Sequence, residues 1–200
     1  MEVAIFEDTK LEKYLDEAVG AVCGAFAGGS KLLICGNGGS AADSSHIAGE
    51  LVKSFEKRRP LPEAASQRLK EQGALGVRLA ALLERGFPAM SLACDGAVMS
   101  AIGNDISQEA VFAQQVASLG RKGDVLLCIS TSGRSENVIN AAVTGRALGM
   151  KVISLTGAAS QLSDLADIVL LSGGAGTAEV QSRQQGIYHE MCRRIEDRMP

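Results

Sequence analysis

A histidine and a glutamate four residues apart, His46 and Glu50, are the side chains of this sequence best suited to proton transfer or metal ligation. On a helix that spacing puts both on one face, about 6 Å apart along the axis. The chain has one other histidine, His189, eight residues after Gln181 in a segment that also has helical spacing. Imidazole, carboxylate and amide oxygen are ligands for zinc or a similar divalent ion. Imidazole and carboxylate equally form an acid–base pair. Plainer readings stand beside these. A helical histidine is often structural or exposed. Gln181 and His189 also lie about 12 Å apart along one continuous helix, a long reach to a single ion unless Gln181 is extended or sits at a frayed helix start.

Two polar loops supply a different chemistry. Gly36-Asn37-Gly38-Gly39-Ser40 follows the apolar run Leu32-Leu33-Ile34-Cys35 and precedes a helical pattern carrying Ala42, His46, Ile47, Glu50 and Leu51. Strand, glycine loop and helix N-terminus together expose backbone N–H groups to an anion. Ser130-Thr131-Ser132-Gly133-Arg134-Ser135 follows a second apolar run and also precedes a helix. Hydroxyls and N–H groups are compact donors for phosphate oxygens, although a serine-rich N-cap loop is the ordinary alternative. Both loops on one sheet favour a phosphate ester. The Gly36-x-Gly38-x-x-Ala41 spacing does not make a dinucleotide fingerprint. The acidic residue wanted about 20 positions on is replaced by Lys57-Arg58-Arg59.

The elements that must carry these residues can be read in order. Positions 8 to 27 form an amphipathic helix, capped by Asp8 or Thr9 and stopped by Gly28-Gly29. After the first strand and helix, 56 to 62 is a charged, proline-broken turn. Residues 63 to 85 read as a helix interrupted near Gly73 and Gly76, an inserted helical segment spanning about 62–86. Pro88 to Cys94 is a strand and 96 to 102 a helix leading to Gly103-Asn104-Asp105. A helix near 108 to 119, a strand from Asp124 to Ile129 and a helix from 136 to 148 come next. Strands at Lys151 to Leu155 and Asp167 to Leu171 precede a final helix from Thr177 to Arg198. Short apolar strands alternating with helices predict an α/β fold: a doubly wound five-stranded parallel sheet flanked by helices, with further helices at the N- and C-termini. Ligands of such sheets bind beyond the carboxyl ends of the strands, where both polar loops fall.

Composition narrows the classes. Two hundred residues with 46% hydrophobic and 22% charged side chains suit one globular domain over 1–200. A net charge of −3 gives no electrostatic reason to expect nucleic acid. The five cysteines are odd in number and lack a C-x-x-C pair. Three of them end apolar runs, where a cysteine is usually a small buried hydrophobe, and the set reads as a reducing compartment without disulfides. No apolar stretch approaches the ~18 residues of a membrane span. The opening MEVAIFEDTKLEKYL is acidic and short in its apolar part, unlike a secretory leader. A cytoplasmic location is expected.

Five segments in this order, CGNGGSAADSSHIAGEL, AIGND, GDVLLCISTSGRSENV, KVISLTG and the closing Q-x7-H, resemble the sugar isomerase (SIS) domain family, in its heptose-phosphate branch. The resemblance runs over about residues 5 to 198. It implies an SIS-type, flavodoxin-like sheet and an aldose–ketose isomerase. The reaction converts D-sedoheptulose 7-phosphate to D-glycero-D-manno-heptose 7-phosphate through an enediol, the first step toward activated heptose. It implies substrate contacts from Asn37, Gly38, Gly39, Ser40, Glu50, Asn104, Asp105, Ser130, Thr131, Ser132, Ser135 and Gln181. It implies one zinc or other divalent ion per subunit on His46, Glu50, Gln181 and His189, with Glu50 and His189 as the catalytic base and acid. It also implies a cytoplasmic homotetramer with sites at subunit interfaces. The rivals are a non-catalytic phosphosugar- or protein-binding module, such as a relative that binds the bacterial replication initiator, and an isomerase of another phosphosugar. This chain keeps the glutamate and closing histidine that the binding-only relative lacks. It departs from the family pattern in the 62–86 insertion, in Ser182 where glutamate is typical, and in the glycine-rich Ser172–Thr177 loop.

Overall fold

The computed structural model describes residues 9–199. Asp8 as a cap and the reading of the opening residues lie outside the described residues. The chain runs through α1 (Thr9–Ala27), β1 (Leu32–Cys35), α2 (Gly39–Val52), α3 (Glu63–Lys70), α4 (Ala74–Leu82), β2 (Ala89–Ser91) and α5 (Gly96–Asp105). A 3-10 turn (Gln108–Ala110) leads to α6 (Val111–Leu119), β3 (Val125–Ser130), α7 (Glu136–Ala147), β4 (Lys151–Thr156), α8 (Gln161–Leu165), β5 (Ile168–Leu171) and α9 (Thr177–Arg198).

All five strands are parallel, in the order β2-β1-β3-β4-β5. The alternation of side chains along each strand explains why both sheet faces are covered. Leu32 and Ile34 of β1 and Val125, Leu127 and Ile129 of β3 point to one face, against α1, α2 and α9. Leu33, Cys35, Leu126 and Cys128 point to the other, against α6, α7 and α8. The order reverses between β1 and β3, the switch point beyond whose carboxyl ends ligands of such sheets bind. The five cysteines are free. Among the described residues no helix is long and apolar enough to cross a membrane.

The interruption expected near Gly73 is there, at a φ of +83° that a side-chain-bearing residue rarely adopts. Four local features differ from the sequence expectation. Gly76 lies inside α4 and does not interrupt it. Pairing in β2 stops early. Asp95 caps α5 by accepting from Ala97 N–H and Val98 N–H, each at 3.0 Å, and this pulls the chain off the sheet. Helix α5 continues through Asn104 and Asp105 rather than ending before them. The five-residue α8 is too short to show a helical period, and the sequence reading passes over it.

Candidate active site

The two polar loops meet at the switch point. Gly38, at a φ of +54°, turns the chain from the end of β1 into α2. Asn37 Nδ2 donates to Asn137 Oδ1 at 2.8 Å, and Asn137 Nδ2 donates back to Asn37 Oδ1 at 2.9 Å. That reciprocal pair ties the loop after β1 to the first turn of α7. In the loop after β3, Gly133 N–H donates to Ser130 Oγ at 3.1 Å, and Ser130 and Ser135 hydroxyls lie 3.3 Å apart. Arg134 N–H donates to Ser132 Oγ at 3.3 Å. Ser40 is buried in the first turn of α2. Thr131, Ser132 and Arg134 open onto a groove of about 270 Å³ whose far wall is Gly174 to Thr177. The arrangement gathers hydroxyls and helix N-termini, groups of the kind that hold anions.

Helices α2 and α9 run side by side in the same direction, and they assemble the second half of the site. Gly39 lies so close to α9 that an added Cβ would fall 2.0 Å from Gln181 Nε2. One turn on, Tyr188 O–H donates to Asp43 Oδ1 at 3.2 Å, and the same phenol lies 3.2 Å from His46 Nδ1. His46 Nε2 is 3.1 Å from Glu50 Oε1. The His46 and His189 rings stand edge to face, centroids 5.0 Å apart. Glu50 Oε2 also pairs with the ammonium of Lys53. Asp43, His46, Gln181, Gln185 and Tyr188 line a groove of about 390 Å³.

This geometry has known counterparts. The chain matches the SIS domain family over residues 76–157. It is 39% identical over 168 residues to a phosphoheptose isomerase of a Nitratiruptor species, covering 84% of this chain and 76% of that protein. It is 34% identical over 194 residues to one from Burkholderia pseudomallei (strain 1710b), covering 96% and 86%. The chain belongs to the phosphoheptose isomerase family. A solved phosphoheptose isomerase from Francisella tularensis superposes with a TM-score of 0.78 at 30% identity, over 94% of this chain and 88% of that one. This member of the phosphoheptose isomerase family brings its expected site residues together unevenly. The loops Asn37 to Ser40 and Ser130 to Ser135 are neighbours through the Asn37–Asn137 pair, while His46, Glu50 and His189 form one cluster. Gln181 joins His46 along the groove. It is the fifth residue of α9, well inside the helix, so the frayed-start alternative is set aside. Asn104 and Asp105 stand apart. They are exposed at the end of α5, where Asn104 Nδ2 donates to Asp105 Oδ1 at 2.7 Å.

The electrostatics separate the roles. Burial raises the Glu50 carboxyl, but the Lys53 hydrogen bond and charge, with His46, outweigh it and hold Glu50 below the usual glutamate range. Burial, then electrostatic repulsion from the neighbouring His46, push His189 below the usual histidine range. Burial raises Asp43 against the pull of Tyr188 and the two histidines. Tyr188 is pushed well above the ordinary phenol range by burial and by the Asp43 charge.

The donors fit a divalent ion in kind. His189 Nε2 is buried with no hydrogen-bond partner, as a ligand nitrogen left for an ion would be. A second imidazole, a carboxylate and an amide are its neighbours. Among the described residues no three His, Cys, Asp or Glu side chains already enclose one point. The sequence reading missed Asp43, Lys53 and Tyr188. Asp43 and Lys53 each lie three residues from a site residue on α2, the one signal that would have found them.

Proposed function

We propose that this chain interconverts D-sedoheptulose 7-phosphate and D-glycero-D-manno-heptose 7-phosphate. The observation that carries the reading is that one helix, α2, joins the glycine loop after β1 to the imidazole–carboxylate cluster at the α2–α9 seam. The non-reacting phosphate would sit on the N–H groups and hydroxyls of Asn37 to Ser40 and Ser130 to Ser135. The sugar would run toward Glu50 and His189.

The chemistry needs a base at C1 of the ketose and a proton at O2. Glu50, kept ionised by Lys53, takes the C1 proton to form the enediol as O2 is protonated. Return of a proton to C2 and loss of the O1 proton give the aldehyde. His189 exchanges the oxygen-bound proton. His46, Glu50, Gln181 and His189 would hold one zinc or other divalent ion per subunit. Such an ion would supply Lewis-acid polarisation of the sugar oxygens.

The working form is a cytoplasmic homotetramer with sites at subunit interfaces. Two features support assembly. Leu75, Leu79 and Leu82 are exposed along one face of α4. Asn104 and Asp105 are also left away from the polar loops of their own chain.

A coupled assay over five-, six- and seven-carbon ketose phosphates tests the reading. The seven-carbon 7-phosphate should be turned over with the highest kcat/KM. Equal activity on the dephosphorylated ketose would remove the phosphate grip. Binding of ketose phosphates without turnover of any would make the chain a binding module.

A further inference from the structure

We propose that Asp43 and Tyr188 are positioning residues that fix His46 as its Nδ1–H tautomer, so that the bare Nε2 faces Glu50. The inference deepens the proposed function, and rests on it only for what that lone pair serves.

The argument is an accounting of donors and acceptors. The Tyr188 phenol has one proton, and it is committed to Asp43 Oδ1 at 3.2 Å. Every other contact with that oxygen must then come from a donor. His46 Nδ1, at 3.2 Å, is such a contact and so carries a hydrogen. A neutral ring has one N–H, which leaves Nε2 as a lone pair. That lone pair faces Glu50 Oε1 at 3.1 Å, where a carboxylate is an acceptor too. Two acceptors at that separation repel unless a positive charge stands between or beside them; the Lys53 ammonium on Glu50 Oε2 stands beside them in this chain, and a divalent ion would stand between. The alternative tautomer would fill the gap with its own Nε2–H, and the ring would no longer be free to ligate.

The support is rigid. Tyr188 is 1% exposed and packs in the core through its ring. Its oxygen reaches α2 through Asp43 and His46 at once. This is the arrangement by which outer partners set the tautomer of a working histidine. Asp43 Oδ2 is buried and unpartnered, so the carboxylate has no competing donor on that oxygen to turn it away from Tyr188.

The test reads the tautomer directly. The chain has only two histidines, so the imidazole nitrogen-15 spectrum is simple, and His189→Gln assigns it. At a pH where the spectrum shows a single proton on the ring, His46 of the metal-free wild-type chain should carry it on Nδ1 and leave Nε2 bare. Tyr188→Phe removes the acceptor and Asp43→Ala frees the phenol proton to turn toward Nδ1. Both should move His46 toward the Nε2–H tautomer and leave His189 unchanged. A wild-type His46 protonated at Nε2, or an Nδ1–H signal kept in the variants, would overturn the proposal. If Tyr188→Phe does not fold, Asp43→Ala alone decides. In parallel, zinc competition against a chromophoric chelator should show about 10–100-fold weaker binding in either variant. A wild-type chain that binds no zinc would sink the metal reading while the tautomer result stood.

Discussion

Near its C-terminal end α9 carries Glu196, 3% exposed, whose carboxylate accepts from Phe55 N–H, Glu56 N–H and Lys57 N–H at 2.8–2.9 Å. Arg59 Nε lies 3.5 Å away and its guanidinium stacks 4.1 Å from the Phe87 ring centroid. Two turns earlier the same helix carries His189, with Nε2 buried and unpartnered, beside Tyr188 and opposite Asp43, whose Oδ2 is also orphaned. Both regions bury polar side chains under the same core. They differ at the carboxylate and the imidazole: Glu196 finds its donors within the chain, although Arg59 Nε and Nη1 beside it have no hydrogen-bond partner, while His189 Nε2 and Asp43 Oδ2 find none. A buried carboxylate given three N–H donors holds the loop after α2 in place. Buried groups left short of partners cost about 1–3 kcal/mol each, a cost that persists where a ligand supplies the missing bond.

Glu50 is the sharpest place to break that contrast. Glu50→Gln should lower kcat by about a hundredfold or more with the fold intact by circular dichroism. A folded variant with normal turnover would move Glu50 to the structural side with Glu196.

The converse test is Glu196→Ala. It strands three N–H groups and the Arg59 charge, and should cost about 3 kcal/mol in urea unfolding. His189→Leu, at the unsatisfied end, should instead leave stability unchanged or raise it by about 1 kcal/mol while turnover is lost. Equal destabilisation by both would erase the distinction between the two ends of α9.

Smaller effects are expected where binding is spread over several donors. Ser132→Ala should raise KM about 5- to 10-fold with little change in kcat, because it grips the end of the substrate that does not react. A fall in kcat at constant KM would place Ser132 at the chemistry.

Asp124 gives the smallest signal. It accepts from the Lys31 ammonium at 2.6 Å, Lys31 N–H at 3.0 Å and Arg121 N–H at 2.8 Å. Burial raises its carboxyl, but these donors outweigh burial and the net shift is downward. A depressed folded-state value contributes stability above the ordinary aspartate range, lost as pH falls through and below about 4. Asp124→Asn should therefore flatten the acid limb of the stability–pH curve. An unchanged limb would assign acid sensitivity to other carboxylates.

The residues that do local work were legible from the chain alone. Strand runs, the loops at Gly36 and Ser130, the helix carrying His46 and Glu50, and α9 each follow from spacing within a dozen residues, because period and glycine placement are local properties. The family followed from the same motifs. What no local pattern holds is which elements lie together. The β2-β1-β3-β4-β5 order puts two loops nearly a hundred residues apart side by side, and the Asn37–Asn137 pair records it. The parallel alignment of α2 with α9 brings Tyr188, which reads as a core aromatic, to Asp43 and His46 across 145 and 142 positions. Contacts of that range arise from packing of whole faces on a twisted sheet, so the partners of a site histidine are decided by the tertiary fold.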